Sequence, residues 1–196
     1  MISLIVLAAG KSTRMRGRNK LLIKIDGKPM IRKVVESALA SKADEVIVVL
    51  GWQARQVRKE LVDLPCYFVV NKNYVRGQSS SVKAGLSEVG VATRAVLILP
   101  GDVARIDPIS INMVIREFDP TQSPIVVAAH NGRSGHPILI AKELFSEIQQ
   151  IDEARFGLKS VVKNHEAQVR LVETGSENVL RDVDTPEDLK DLKNAD

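Results

Sequence analysis

Cysteine is nearly absent from this chain. A single Cys66 among 196 residues excludes an internal disulfide and a cysteine-based metal cluster, and its setting in the apolar run Cys66-Tyr67-Phe68-Val69-Val70 reads as a small buried hydrophobe. Aromatic residues are scarce too. One Trp, two Tyr and four Phe do not interleave with basic residues, so the stacking platform of a single-strand nucleic-acid binder is missing. No run of five or more like charges marks a polyionic tail. Long hydrophobic runs are also lacking. The first apolar run, Ile2 to Ala8, is seven residues long, has no basic leader or cleavage site, and falls far short of a membrane span. The expectation is a cytoplasmic protein whose partners include neither nucleic acid nor membrane.

What is present is ordinary for a soluble domain: 44% hydrophobic and 27% charged residues. The length suits one domain over residues 1–196, since domains commonly hold about 100–200 residues. Lys and Arg outnumber Asp and Glu by 28 to 24, a net charge of +4. That modest excess suits a protein that handles anionic small molecules.

Short apolar runs alternate with helix-period segments. Ile2–Ala8, 45–50, 66–70, 94–99 and 125–129 read as strands buried on both faces. Between them, Met30, Ile31, Val34, Val35, Ala38 and Leu39 recur at helical spacing. So do Ile111, Val114, Ile115 and Phe118, behind Asp107 as a cap and Pro108 at the first helical position. Thr185-Pro186-Glu187-Asp188 offers a further cap with acids in the first turn. Asn131 to Gly135 breaks the rhythm as a hairpin turn before His136–Ala141. This alternation predicts an α/β fold with a doubly wound, mostly parallel sheet, in which ligands sit at the carboxyl ends of the strands.

The residues that carry chemistry fall just after those strands. Leu7-Ala8-Ala9-Gly10-Lys11-Ser12-Thr13-Arg14-Met15, with Lys20 close behind, has small residues that let backbone N–H groups approach a triphosphate and bases that neutralise it. It is not a Walker A loop or a dinucleotide fingerprint, and a mobile loop with solvated bases is the plainer reading. After Asn71, Gly77 permits a close approach, and Ser79, Ser80 and Ser81 suit the cap of a helix that faces an anion or a base edge. Asp102 follows the fourth strand, placed for Mg²⁺, a hard cation that takes oxygen ligands. Asp182 and Asp184 share one side of an extended segment, where either could also be a helix N-terminal acid. His136, before Pro137, is as readily a packing residue as a ligand.

Read together, these segments resemble the molybdopterin-type NTP transferases, a branch of the nucleotidyltransferases that act on sugar phosphates and methylerythritol phosphate. The N-terminal loop is similar to the family's Leu-Ala-Ala-Gly-x-Ser-x-Arg-Met-Gly-x-x-Lys signature, with Arg16 lengthening the gap to Lys20 by one residue. Residues 71–86 resemble the Asn-x-x-Trp-x-x-Gly-x-x-Ser-Ser-x-x-x-Gly-Leu stretch of the molybdenum cofactor cytidylyltransferases, with Tyr74 in place of Trp. Gly135-His136-Pro137 and the run from Asp182 to Leu189, Asp-x-Asp-Thr-Pro-Glu-Asp-Leu, match the same branch. Arg155-Phe156-Gly157-Leu158-Lys159 departs from its Gly-Asp-x-Gly-Ala-Arg.

The resemblance implies a Rossmann-like fold of the nucleotide-diphospho-sugar transferase kind and an NMP transfer that releases pyrophosphate. It assigns Lys20 and Arg14 to the triphosphate as catalytic groups, and Leu7, Ala8, Ala9, Gly10, Gly77, Ser80 and Ser81 to the nucleotide. Asp102 and Asp184 would hold Mg²⁺, with Asp182 in reserve, and His136 and Lys159 would meet the acceptor. Ala9 favours CTP as the donor. Molybdopterin is then the leading acceptor, and the enzymes that supply it are candidate partners. Two alternatives stay open: a transferase that uses GTP or UTP with a sugar phosphate or another small molecule, and a catalytically silent nucleotide-binding regulator. Two clustered carboxylates repel one another when no cation is present, so loss of either is expected to hold or raise apo stability.

Overall fold

Every residue of the first strand, β1 (Ile2–Ala8), is buried, as a strand covered on both faces must be. Strand alternation sends Leu4, Val6 and Ala8 into one apolar layer, and Ile5 and Leu7 into the other, where Ala9 joins them. In the computed structural model, which describes residues 1–15 and 17–194, β1 is the middle of the parallel half of a seven-stranded sheet.

After β1 come a two-stranded ribbon, β2 (Lys24–Ile25) and β3 (Lys28–Pro29), then α1 (Met30–Leu39), β4 (Glu45–Leu50), α2 (Ala54–Lys59) and β5 (Tyr67–Val70). Next follow α3 (Gln78–Leu86), β6 (Ala95–Pro100), α4 (Pro108–Arg116), β7 (Ile125–His130) and β8 (Arg133–Ala141). The chain ends with α5 (Phe145–Ile148), α6 (Leu158–Asn164), β9 (Val169–Glu173) and α7 (Pro186–Asn194). The sheet order is β5-β4-β1-β6-β8-β7-β9. β5, β4, β1 and β6 run parallel, β8 is antiparallel between β6 and β7, and β9 is parallel to β7. Side chains of α1, α2 and α4 fill one apolar layer, and those of α3, α5 and α6 the other. The structure is therefore an α/β, doubly wound, mostly parallel sheet.

Local chemistry explains the boundaries. Asp107 accepts from the Ser110 amide at 2.7 Å and Pro108 opens α4, but the helix ends at Arg116, before Phe118. At α7, the Asp188 carboxylate accepts from the Thr185 amide at 2.7 Å while the Thr185 hydroxyl accepts from the Asp188 amide at 3.2 Å. This is a reciprocal cap. The β7–β8 turn is only Asn131-Gly132, both at positive φ (51° and 72°), the geometry that matches the twist of a hairpin.

One strand departs from expectation. β5 is not buried: Tyr67 is 66% and Val70 54% exposed, because β5 is the sheet's edge and pairs with β4 alone. Cys66 precedes it, half-buried, with its thiol pKa pushed up by burial. Among the described residues no helix is long and apolar enough to cross a membrane.

Candidate functional site

The loop after β1 leaves the sheet's carboxyl edge and is organised by Ser12. That residue sits at φ 52°, its carbonyl accepts from the Met15 amide at 2.9 Å, and its hydroxyl accepts from the Lys20 amide at 3.2 Å. Asn19 then caps the single turn Lys20–Leu22 by accepting from the Leu21 amide at 3.1 Å. These bonds aim Lys20 back over the strand ends. Arg16 lies outside the described residues.

β6 ends in Gly101-Asp102. A side chain at Gly101 would stand 2.9 Å from both the Leu7 carbonyl and Ile31, so glycine lets the strand turn close against β1. The Asp102 carbonyl accepts from the Val183 amide at 3.1 Å, which pulls the segment before α7 to the end of β6. Asp102 and Asp184, 82 positions apart, thereby meet around one ammonium. Lys20 Nζ lies 2.5 Å from Asp102 Oδ2 and 2.8 Å from Asp184 Oδ1, and Arg14 lies 2.8 Å from Asp184 Oδ2. Burial would lower the Lys20 pKa, but the two carboxylates more than offset this and the net shift is upward. Burial likewise works to raise Asp184, yet Lys20 and Arg14 hold it below its ordinary value. Asp184 is thus not the cap of α7, a task that falls to Thr185 and Asp188. Among the described residues, buried Asp102 Oδ1 has no hydrogen-bond partner, an open carboxylate oxygen of the kind a hard cation takes.

A cleft of about 560 Å³ opens over this cluster. Leu7, Ala9 and Gly10 line one wall, Gly77 and Ser81 another, and Asp182, His136 and Lys159 the far side. Nothing lies within 4 Å of where a Gly10 side chain would begin, so the backbone there borders open space. Lys11 stands over the Tyr74 ring at 5.9 Å. Burial, reinforced by the charges of Asp184 and Asp102, pushes the Asp182 pKa up. Burial also pushes His136 below the usual imidazole value, and its buried Nδ1 has no hydrogen-bond partner among the described residues. Past His136, Lys159 and Asp182 the cleft meets a second cavity of about 790 Å³, walled by Val127, Ile138, Val162 and Leu171.

Most of the sequence-derived set converges on one cleft; two members do not. Ala8 is 1% exposed and packs in the core beside α1, because strand alternation turns it away from the cleft. Ser80 faces outward: its hydroxyl donates to the Gly77 carbonyl at 2.8 Å and accepts from Asn71 Nδ2 at 2.8 Å. Nor do the serines cap α3. Gly77, at φ 97°, is the cap residue, without a side-chain bond, and the serines lie inside the first turn. Sequence reasoning also missed Gln78 in the cleft wall and Glu153 at the start of α3.

Comparison with known proteins bears on the family and the fold. The family model described as a MobA-like NTP transferase domain matches residues 4–169. Among curated proteins, the bifunctional protein GlmU of Halorhodospira halophila is 30% identical over 168 residues, covering 80% of this chain and 35% of that protein. The chain spans about a third of the length of the curated relatives it matches. Among solved structures, Rv0371c from Mycobacterium tuberculosis superimposes with a TM-score of 0.86 at 24% identity, covering 99% of this chain and 98% of that one. Its complex with manganese does so at 0.81, again at 24% identity, over 100% and 99%. A nucleotidyl transferase from Methanothermobacter thermautotroptrophicus gives 0.87 at 22% identity, over 99% and 96%. These structural likenesses carry the fold, and the family model carries the identity: this chain belongs to the MobA-like NTP transferase family.

Proposed function

We propose that the protein, as one NTP transferase domain working in the cytoplasm, transfers an NMP from an NTP to a phosphorylated small molecule and releases pyrophosphate. CTP is the preferred donor, molybdopterin the leading acceptor and Mg²⁺ the metal. The observation that carries this reading is the convergence of Lys20, Asp102 and Asp184 beside the glycine-containing loop after β1.

In this reading an acceptor phosphate oxygen attacks the α-phosphorus in line as the bond to the β-phosphate oxygen breaks. Such an oxygen is already ionised near neutral pH, so no strong general base is required. Arg14 and Lys20 bind the triphosphate and neutralise charge that moves toward the leaving pyrophosphate. Asp102 and Asp184, now paired with Lys20 and Arg14, would hold the metal. A metal held there would supply positive charge that offsets the negative charge of the phosphates. The unpartnered Asp102 Oδ1 and the all-oxygen donor set fit it, and a structurally similar protein has been crystallised with manganese.

The choice of CTP rests on Ala9, the residue that the family resemblance ties to CTP, which lines the cleft together with Gly77 and Ser81. The acceptor choice rests on the apolar second cavity with His136 and Lys159 at its mouth, which suits a planar body ending in a phosphate. The experiment is to incubate the protein with each of the four NTPs, Mg²⁺ and candidate acceptors and to follow pyrophosphate. Release with CTP and molybdopterin supports the reading, and no release with any pair refutes it.

A further inference from the structure

Glu153 belongs to none of the groups above, yet three features of the fold are built around its carboxylate. Its Oε1 accepts from the Ser79 amide at 2.5 Å, in the first turn of α3. Gly77, the residue that precedes the helix, is at φ 97°, and a side chain there would overlap the Glu153 side chain. Gly157, at φ 53°, closes the same nest from the other side, where a side chain would stand 2.8 Å from Ser79 Oγ. Ser79 is 4% exposed and, among the described residues, its hydroxyl has no hydrogen-bond partner, while Glu153 itself is exposed. A carboxylate on the free amides of a helix start is favourable, but a plain cap does not require a glycine on each side of it.

The two segments thus joined both lead into one cleft. Gly77 and Gln78 line the wall assigned above to the nucleotide. Glu153 opens the turn 153–155, and the chain then passes through Gly157 into the first turn of α6, where Lys159 reaches both cavities. Asp152 braces that turn by accepting from the Ala154 amide at 3.0 Å and, through its carbonyl, from the Gly157 amide at 2.8 Å.

We infer that Glu153 is a positioning residue: its carboxylate clasps the start of α3 to the turn that leads to Lys159 and so holds the nucleotide-binding end of α3 in its binding form. This rests on the transferase reading for its kinetic consequence, but the clasp itself does not depend on turnover. Electrostatics makes the inference sharp. Removing a negative charge beside the cleft would by itself favour a polyanionic NTP, whereas loss of the clasp weakens NTP binding. The two effects have opposite signs.

The test compares wild type with Glu153→Ala and Glu153→Gln. Amide hydrogen exchange over residues 77–81 is measured without substrates, and steady-state pyrophosphate release is measured with NTP and acceptor varied in turn. Glu153→Ala is expected to speed exchange of the Ser79 amide at least tenfold and to raise KM for NTP at least fivefold, with kcat changed less than twofold. Glu153→Gln, whose amide oxygen still accepts, is expected to recover most of both. A role in global stability alone would lower the active fraction, and so kcat, at unchanged KM. That result, or unchanged exchange at Ser79, or a lower KM for NTP, overturns the inference. A wild-type protein that releases no pyrophosphate sinks the transferase reading instead, while the exchange arm still decides the clasp.

Discussion

Asp102→Asn, tested without metal or nucleotide, separates two accounts of the carboxylate pair. If the acids merely repelled one another, the substitution would leave apo stability unchanged or raise it. The geometry gives the opposite sign, because Lys20 Nζ bridges the pair and its side chain is only 13% exposed, beside acids at 17% and 26%. A hydrogen bond to a charged partner is worth about 1.5–3 kcal/mol. Lys20 keeps Asp184 in the variant, so a net loss near the low end, about 1–2 kcal/mol, is expected. In a protein of this size that lowers Tm by about 2–8 °C. The partner variant Lys20→Met leaves two facing carboxylates without their shared cation, and there Asp102→Asn relieves repulsion instead of breaking a pair. The two substitutions should therefore be coupled by about 1–3 kcal/mol. Urea denaturation in EDTA of the wild type, both single variants and the double variant completes the cycle. Additive effects, or an apo Tm for Asp102→Asn at or above wild type, refute the bridged arrangement.

Other perturbations have equally defined outcomes. Lys20→Ala should lower turnover more than tenfold while the protein stays folded, and wild-type pyrophosphate release from that variant would remove Lys20 from the catalytic set. CTP should exceed GTP in kcat/KM by at least about tenfold, since one set of base hydrogen bonds is worth a few kcal/mol; side-by-side kinetics that favour GTP would overturn the donor assignment. Gly51→Ala forces a methyl to 2.6 Å from Ala9 and 2.8 Å from Tyr74, and overpacking of this kind costs about 1–3 kcal/mol, readable as a lower urea midpoint. Asp63, bonded to the Arg32 guanidinium, is held down to about 2. A depressed carboxylate contributes stability that is present above its unfolded value of about 3.9 and is lost as pH falls through the folded one. The stability gap between wild type and Arg32→Leu should accordingly narrow between about pH 4 and pH 2, and a gap that widens there would contradict the pairing.

Much of this arrangement was legible from local pattern. Periodicity gave α1, and the caps at Asp107 and Thr185 gave the starts of α4 and α7, because those signals are confined to a few neighbouring residues. The burial of β5 was misjudged because an apolar run carries no mark of how many strands flank it. β9 buries only Val172 while Arg170, Leu171 and Glu173 are exposed, so it shows no alternation to stand out. At the site, residue type identified Lys20, Asp102 and Asp184. That Lys20 neutralises the acids in the resting protein follows only from the Asp102–Val183 backbone bond, a contact between distant segments. Ala8 was assigned to the nucleotide because a motif is read as a string, whereas a strand sends alternate residues to opposite faces. Glu153 escaped notice since its partners, Gly77 and Ser79, lie more than seventy positions away.

The antiparallel β8 has a consequence for how such a protein can change over time. Because β8 runs against β6, it delivers Gly135 and His136 to the same sheet edge as Asp102, but through a two-residue hairpin instead of a helix-bearing crossover. One half of the cleft is thus assembled from parallel strands and the loops they feed, where an insertion must also fit a packed helix. The other half is built on a hairpin tip and on the turn around residues 152–157, both at the surface. Alterations in those two short stretches can reshape what meets the nucleotide without disturbing the bonds that order the loop after β1. Under the proposed function, exchange of residues 131–135 between related chains is expected to change the acceptor while the bonds that order the loop after β1 stay intact.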